Sequence, residues 1–92
     1  MKFMITFHLK PAQQKAATER FLTTGGTPPK GVKMLGRWHG PGKGFVLAET
    51  TNLKALNEWL FRWTDLLEFN VMPVIEDKDA ADIMKKLAVA AK

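Results

Sequence analysis

Two histidines and three tryptophans, with a few carboxylates and amides, are the side chains in this sequence that could do chemistry. An imidazole beside a carboxylate or an amide is the pairing general-base catalysis needs, which makes His8 and His39 the first candidates. Arg37 and Trp38 precede His39 directly, and a guanidinium next to an indole can hold a flat anionic molecule. Asn70 supplies an amide, and Glu68 a carboxylate two residues before it. Glu49 closes an apolar run; enclosed, it would be a proton donor, although a carboxylate at a strand end is more often solvated or caps the next helix. Trp59 and Trp63 lie one helical turn apart. Trp63 continues a leucine stripe and reads as core, while Trp59 flanks that stripe and can line a pocket. The catalytic candidates are thus His8, His39 and Glu49, and the ligand-binding candidates Arg37, Trp38, Trp59 and Asn70.

None of these residues forms a spacing motif. There is no G-x-G-x-x-G, P-loop, H-E-x-x-H or EF-hand loop. With no cysteine and two histidines, neither a thiolate site nor an intrachain zinc site is expected. The reading assigns no metal and no cofactor.

What must position these residues can be read from periodicity. Residues 2–9 alternate, with Phe3, Ile5, Phe7 and Leu9 on one face and Met4, Thr6 and His8 on the other, which predicts a strand. Pro11 suits the first turn of a helix over 12–24, which carries Ala12, Ala16, Ala17, Phe21 and Leu22 and ends at Gly25-Gly26. A second strand over 32–39 and a third over 45–50 flank Gly40 to Gly44, a hairpin with a five-residue loop. Thr51 or Asn52 can cap a helix in which Leu53, Leu56, Leu60, Trp63 and Leu67 recur every three or four residues. A fourth strand spans 69–75, and Pro73 within it argues for a sheet edge. Asp77 or Asp79 opens a last helix with Ile83, Met84, Leu87 and Ala91 on one stripe and Lys85, Lys86 and Lys92 near its end.

The order βαββαβ predicts a ferredoxin-like antiparallel sheet, strand order 4-1-3-2, with an extra C-terminal helix, all in one domain over 1–92. In that topology His8, Arg37, Trp38, His39, Glu68 and Asn70 crowd one end of the sheet, with His8 and Asn70 on the face away from the helices. The third strand is apolar on both faces at Phe45, Val46, Leu47 and Ala48, as is the fourth at Val71, Met72, Val74 and Ile75. A sheet with one wet face should alternate instead. Something covers the second face. Sheet-to-sheet homodimerisation is the simplest cover, and a ligand or the last helix folding across the sheet would serve as well.

The formal charge of +5 gathers partly at Lys30, Lys33, Arg37 and Lys43, which reads as a solvated surface more readily than as an anion-binding one. No apolar stretch approaches the ~20 residues of a membrane span, and the N-terminus lacks the features of a secretory signal, so a cytoplasmic location is expected.

Glu19-Arg20-Phe21, the stretch Gly31 to Trp38, Glu49, Leu56 and the run Trp59-x-x-x-Trp63-x-Asp65 followed by Phe69-x-Val71-x-Pro73-Val74 carry a likeness. Through them the chain resembles a family of short bacterial proteins of unknown function within the dimeric α+β barrel superfamily. The resemblance implies a ferredoxin-like fold and a dimer, and no established activity. Members of that superfamily include cofactor-free and haem-degrading monooxygenases, chlorite dismutases and small isomerases, with sites between sheet and helices. The haem-degrading pattern puts a haem-ligating histidine on a helix, whereas both histidines here fall on strands.

The functional expectation is small-molecule binding, with cofactor-independent oxygenase or isomerase chemistry, near His8, Trp38, His39, Glu49 and Asn70. One alternative is a non-catalytic interaction or regulatory domain. The other is RNA binding: Lys43-Gly44-Phe45 starts an RNP1-like match that fails at Val46 and Leu47, and the phase of the first strand turns Phe7 toward the helices, so the pattern argues against nucleic acid.

Overall fold

The computed structural model describes residues 1–90. The elements run β1 (Lys2–Leu9), α1 (Gln14–Thr24), β2 (Lys33–Gly40), β3 (Lys43–Glu49), α2 (Leu53–Phe61), β4 (Leu67–Val74) and α3 (Asp77–Ala90). One four-stranded sheet has the order β2-β3-β1-β4, with each neighbouring pair antiparallel. This is the ferredoxin-like α+β arrangement with an added C-terminal helix. Pro73 lies on the edge strand β4, where a missing ladder donor is tolerated.

The register divides the side chains into two sets. Phe3, Ile5 and Phe7 stand opposite Ala48, Val46 and Gly44 on one side and Pro73, Val71 and Phe69 on the other. This face packs under α1 and α2. Phe3, Ile5, Val46 and Ala48 join Ala55, Leu56, Trp59 and Leu60 of α2 in the main core. A smaller cluster holds Ala17 of α1 with Leu66 and Leu67.

Several boundaries differ from the sequence reading, each for a local reason. Ala12 adopts a positive φ of 65°, so Pro11-Ala12 forms a turn and α1 starts at Gln14. The hairpin closes with Gly40 paired to Lys43, leaving a two-residue loop of Pro41 and Gly42; Gly42 takes the positive φ of 73° that a turn with proline before it requires. The helical stripe of α2 overran its element: the helix stops at Phe61, a turn carries Trp63, and Leu67 opens β4. Asn52 caps α2, its Oδ1 accepting from the Ala55 N–H at 3.0 Å.

The last helix does not fold across the sheet. None of the described residues of α3 is buried, and the molecule extends 55 Å along its longest axis. The expected positions of Ala91 and Lys92 lie outside the described residues. No helix is long and apolar enough to cross a membrane among the described residues.

Candidate functional site

A cavity of about 290 Å³ lies between the sheet and its two covering helices. Its existence follows from the residues of α1. Where α2 buries Leu56, Trp59 and Leu60, α1 buries only Ala17, and a methyl group leaves space above the sheet. Ile5, Phe7, Val46 and Phe69 form the floor, Thr18, Phe21 and Leu22 of α1 overhang it, and Trp59, Leu60 and Trp63 close the far wall.

Two arginines hold α1 in place over this space. Arg20 makes a two-pronged ion pair with Asp65, Nη1 to Oδ1 at 2.8 Å and Nη2 to Oδ2 at 2.7 Å, and also donates to the Arg62 carbonyl. Its guanidinium lies 5.5 Å from the centre of the Trp63 ring. The hydrogen bond from Arg20 holds the Asp65 carboxyl below the usual carboxylate range, and the same bond raises Arg20.

The other clamp is Arg37. Gly25 ends α1 in the left-handed conformation, its N–H bonded to the Phe21 carbonyl at 2.7 Å. Arg37 Nη2 donates to the Gly25 carbonyl at 2.8 Å and Nη1 to that of Gly26 at 2.9 Å. Trp59 Nε1 donates to the same Gly26 oxygen at 3.2 Å, so one carbonyl joins α1, β2 and α2. The Arg37 guanidinium also lies 4.8 Å from the centre of the Phe21 ring. Burial lowers its pKa. Among the described residues no carboxylate pairs with Arg37; the ion pairs are Lys2–Glu76, Arg20–Asp65 and Arg62–Glu58.

His39 stands opposite Gly44 on the helix-covered face, edge-on to Phe7 and Phe21 at 5.9 and 5.2 Å between ring centres. Gly44 makes room for this packing. A Cβ there would lie 2.1 Å from Phe7 Cζ, so only glycine lets the Phe7 ring cross β3. Arg37 and His39 are the basic side chains on the helix-covered face that line the cavity beside Trp59 and Trp63; Lys43 also borders it, but its register with His8 turns its side chain to the open face, and among the described residues no carboxylate lines the cavity.

The sheet divides the residues that the sequence brought to one end. Arg37, His39 and Trp59 line the cavity. His8, Trp38 and Asn70 point the other way, in register with Lys43, Phe45 and Thr6, and Glu49 stands on that open face between Lys2 and Lys33. His8 and Asn70 share the face away from the helices, as their phase requires, but neither touches the cavity. The bulge between Met34 and Gly36 puts Met34 and Arg37 on the same face although they are three residues apart. Phe21 and Gly26 belong to the cavity as well, and the helical period of α1 marked Phe21 as inward-facing without showing that the space beneath it stays open.

Among the described residues no three metal-ligating side chains come together. No curated protein and no solved structure matches the chain. A family model matches residues 1–88, which is nearly all of the 92, and the chain therefore belongs to the family described as Domain of unknown function (DUF3303).

Proposed function

We propose that the cavity binds a small, mostly apolar molecule carrying one anionic group. Its apolar body would lie between Phe7, Phe21 and the two tryptophans, with the anion at the end held by Arg37 and His39. The observation that carries this reading is the composition of the wall, aromatic and aliphatic with the basic Arg37 and His39 at one end and, among the described residues, no acid. At about 290 Å³ the cavity is at the small end of the ~300–1,000 Å³ typical of ligand sites. Were the molecule turned over, the proton transfer of an isomerase or cofactor-independent oxygenase would fall to His39.

Calorimetric titration with 2-naphthoate and with its neutral analogue 2-naphthalenemethanol tests this. A charged hydrogen bond to Arg37 adds about 1.5–3 kcal/mol, so the acid should bind roughly tenfold to a hundredfold more tightly. Arg37→Met should abolish that preference while keeping the apolar stem. Equal affinity for the two probes, or no saturable binding of either, would refute the reading.

A second reading, single-stranded RNA stacked on the open sheet face, draws on the exposed pair Trp38 and Phe45, which are 57% and 39% accessible. Glu49 and Glu68 on the same face oppose it, and a salt-sensitive mobility shift with oligouridylate tests it.

A further inference from the structure

Among the described residues the Gly26 carbonyl is the one backbone group in the cavity wall that accepts from two side chains. Trp59 Nε1 reaches it from α2 at 3.2 Å and Arg37 Nη1 from β2 at 2.9 Å. Gly26 is buried, whereas Gly25, whose carbonyl takes the other Arg37 donor, is exposed. Gly26 adopts a φ of 58°, and a Cβ on it would come within 2.8 Å of Arg37 Nη1. Both features call for glycine. The guanidinium presses directly on this peptide because no side chain stands there.

The two donors differ in what they carry. The indole N–H is neutral and belongs to a side chain that is only 5% exposed. Arg37 carries a full charge, and carbonyls answer its N–H groups without neutralising it. Burial lowers its pKa, as expected of a cation that has lost water and gained no counter-ion. A carboxylate in the cavity is a better partner than either carbonyl, because it adds the opposite charge and takes two N–H groups side by side.

The two carbonyls respond differently when the guanidinium leaves. At exposed Gly25, water takes its place. At buried Gly26, with a ligand filling the cavity, no water does, and a buried acceptor left without a donor is destabilising. The Trp59 N–H prevents that.

We propose that Arg37 gives up the Gly25 and Gly26 carbonyls to take the anionic group of the ligand, and that Trp59 is the positioning residue that makes the exchange possible by keeping Gly26 satisfied. This rests on the cavity binding an anion at Arg37. Trp59 then has two duties: its ring walls the cavity, and its N–H sets how strongly an acid is preferred over a neutral molecule of the same shape. The exchange also links the site to α1. Gly25 ends that helix through its N–H bond to the Phe21 carbonyl, and Arg37 braces the cap while lying against the Phe21 ring. A ligand that draws Arg37 away loosens the end of α1 as it binds, whereas a neutral ligand leaves it fastened.

Calorimetric titration of the wild type, Trp59→Phe and Trp63→Phe with 2-naphthoate and 2-naphthalenemethanol tests the role of Trp59. Each variant trims one indole of the cavity wall to a phenyl ring, and only Trp59→Phe removes a donor from Gly26. The ratio of the two affinities is compared, since a change in wall shape acts on both probes alike. In Trp59→Phe the preference for the acid should fall about fivefold or more, the equivalent of ~1 kcal/mol for one stranded carbonyl. In Trp63→Phe it should keep the wild-type value. An unchanged ratio in Trp59→Phe, or an equal fall in both variants, would overturn the proposal. Hydrogen exchange of the wild type decides the matter even if Trp59→Phe does not fold. With saturating acid the Gly25 amide should exchange faster than with saturating alcohol, and equal or slower exchange would show that Arg37 never leaves. A wild type that binds both probes equally, or neither, has no anion site at Arg37, and the exchange falls with it. The wild-type ratio thus tests the site, and the variant ratio and the Gly25 amide test the exchange.

Discussion

Gly44→Ala tests whether the cavity has the floor described here. The new Cβ would sit 2.1 Å from Phe7 Cζ and 2.6 and 2.7 Å from the two Cε atoms, where ordinary contact begins at 3.4 Å. The ring must therefore shift by more than an ångström or change rotamer, and the cavity it lines offers it space. Overpacking of this kind costs about 1–3 kcal/mol. Alanine recovers roughly 0.5–1 kcal/mol through its smaller backbone entropy loss in a strand. The net of about 0.5–2 kcal/mol corresponds to a fall in melting temperature of roughly 2–16 °C for a domain of this size. Affinity for 2-naphthoate should fall as well, because the displaced ring takes up space the probe needs. Gly40→Ala is the control. A Cβ there meets only the Lys43 carbonyl at 3.6 Å, so thermal scans should show little change. A Gly44→Ala variant with wild-type melting and wild-type probe affinity would show that Phe7 does not cover Gly44 and would remove the floor.

Asp65→Asn breaks the pair that fastens α1 to the turn before β4, and hydrogen exchange should rise in α1 while the sheet keeps its protection. The folded-state Asp65 carboxyl lies below its ordinary 3.8, so its contribution is present above that value and is lost as pH falls through the folded one. In Asp65→Asn, α1 exchange should already be fast at neutral pH and gain no acid-induced step. Trp59→Phe leaves the Gly26 carbonyl with Arg37 alone, and denaturant unfolding should register a loss of about 0.5–1.5 kcal/mol. A loss well beyond that range would mean that the indole ring, not its N–H, carries the contact.

The sheet was legible because β1 alternates cleanly and the apolar runs of β3 and β4 mark strands. The topology then placed Pro73 on an edge and set Phe7 under the helices. The limits of α2 were not legible. Trp63 and Leu67 sit at helical spacing, yet the chain leaves the helix at Phe61, and their inward direction comes from the turn and from β4. Periodicity cannot tell a continuing helix from a turn that keeps the same side chains inside.

The candidate site was legible in its residue types and hidden in its geometry. Arg37, His39 and Trp59 were singled out by chemistry, and they do line one cavity. His8, Trp38 and Asn70 share their end of the sheet but lie behind it, because alternation sends neighbours in one strand to opposite faces. The face taken by Arg37 depends on the bulge at Leu35, which leaves no mark in the hydrophobic pattern. The cavity itself depends on a single small residue, Ala17, at the point where α1 crosses the sheet, and an alanine in a helix ordinarily signals only propensity.

The most direct test of the binding site is a nuclear magnetic resonance titration of the full chain with 2-naphthoate, following the three indole N–H signals and the Arg37 guanidinium. The expected result is saturable movement of Trp59, Trp63 and Arg37 with Trp38 unchanged, since Trp38 lies on the opposite face. Movement of Trp38 while Trp59 and Arg37 stay still would place the ligand on the open face and contradict the account.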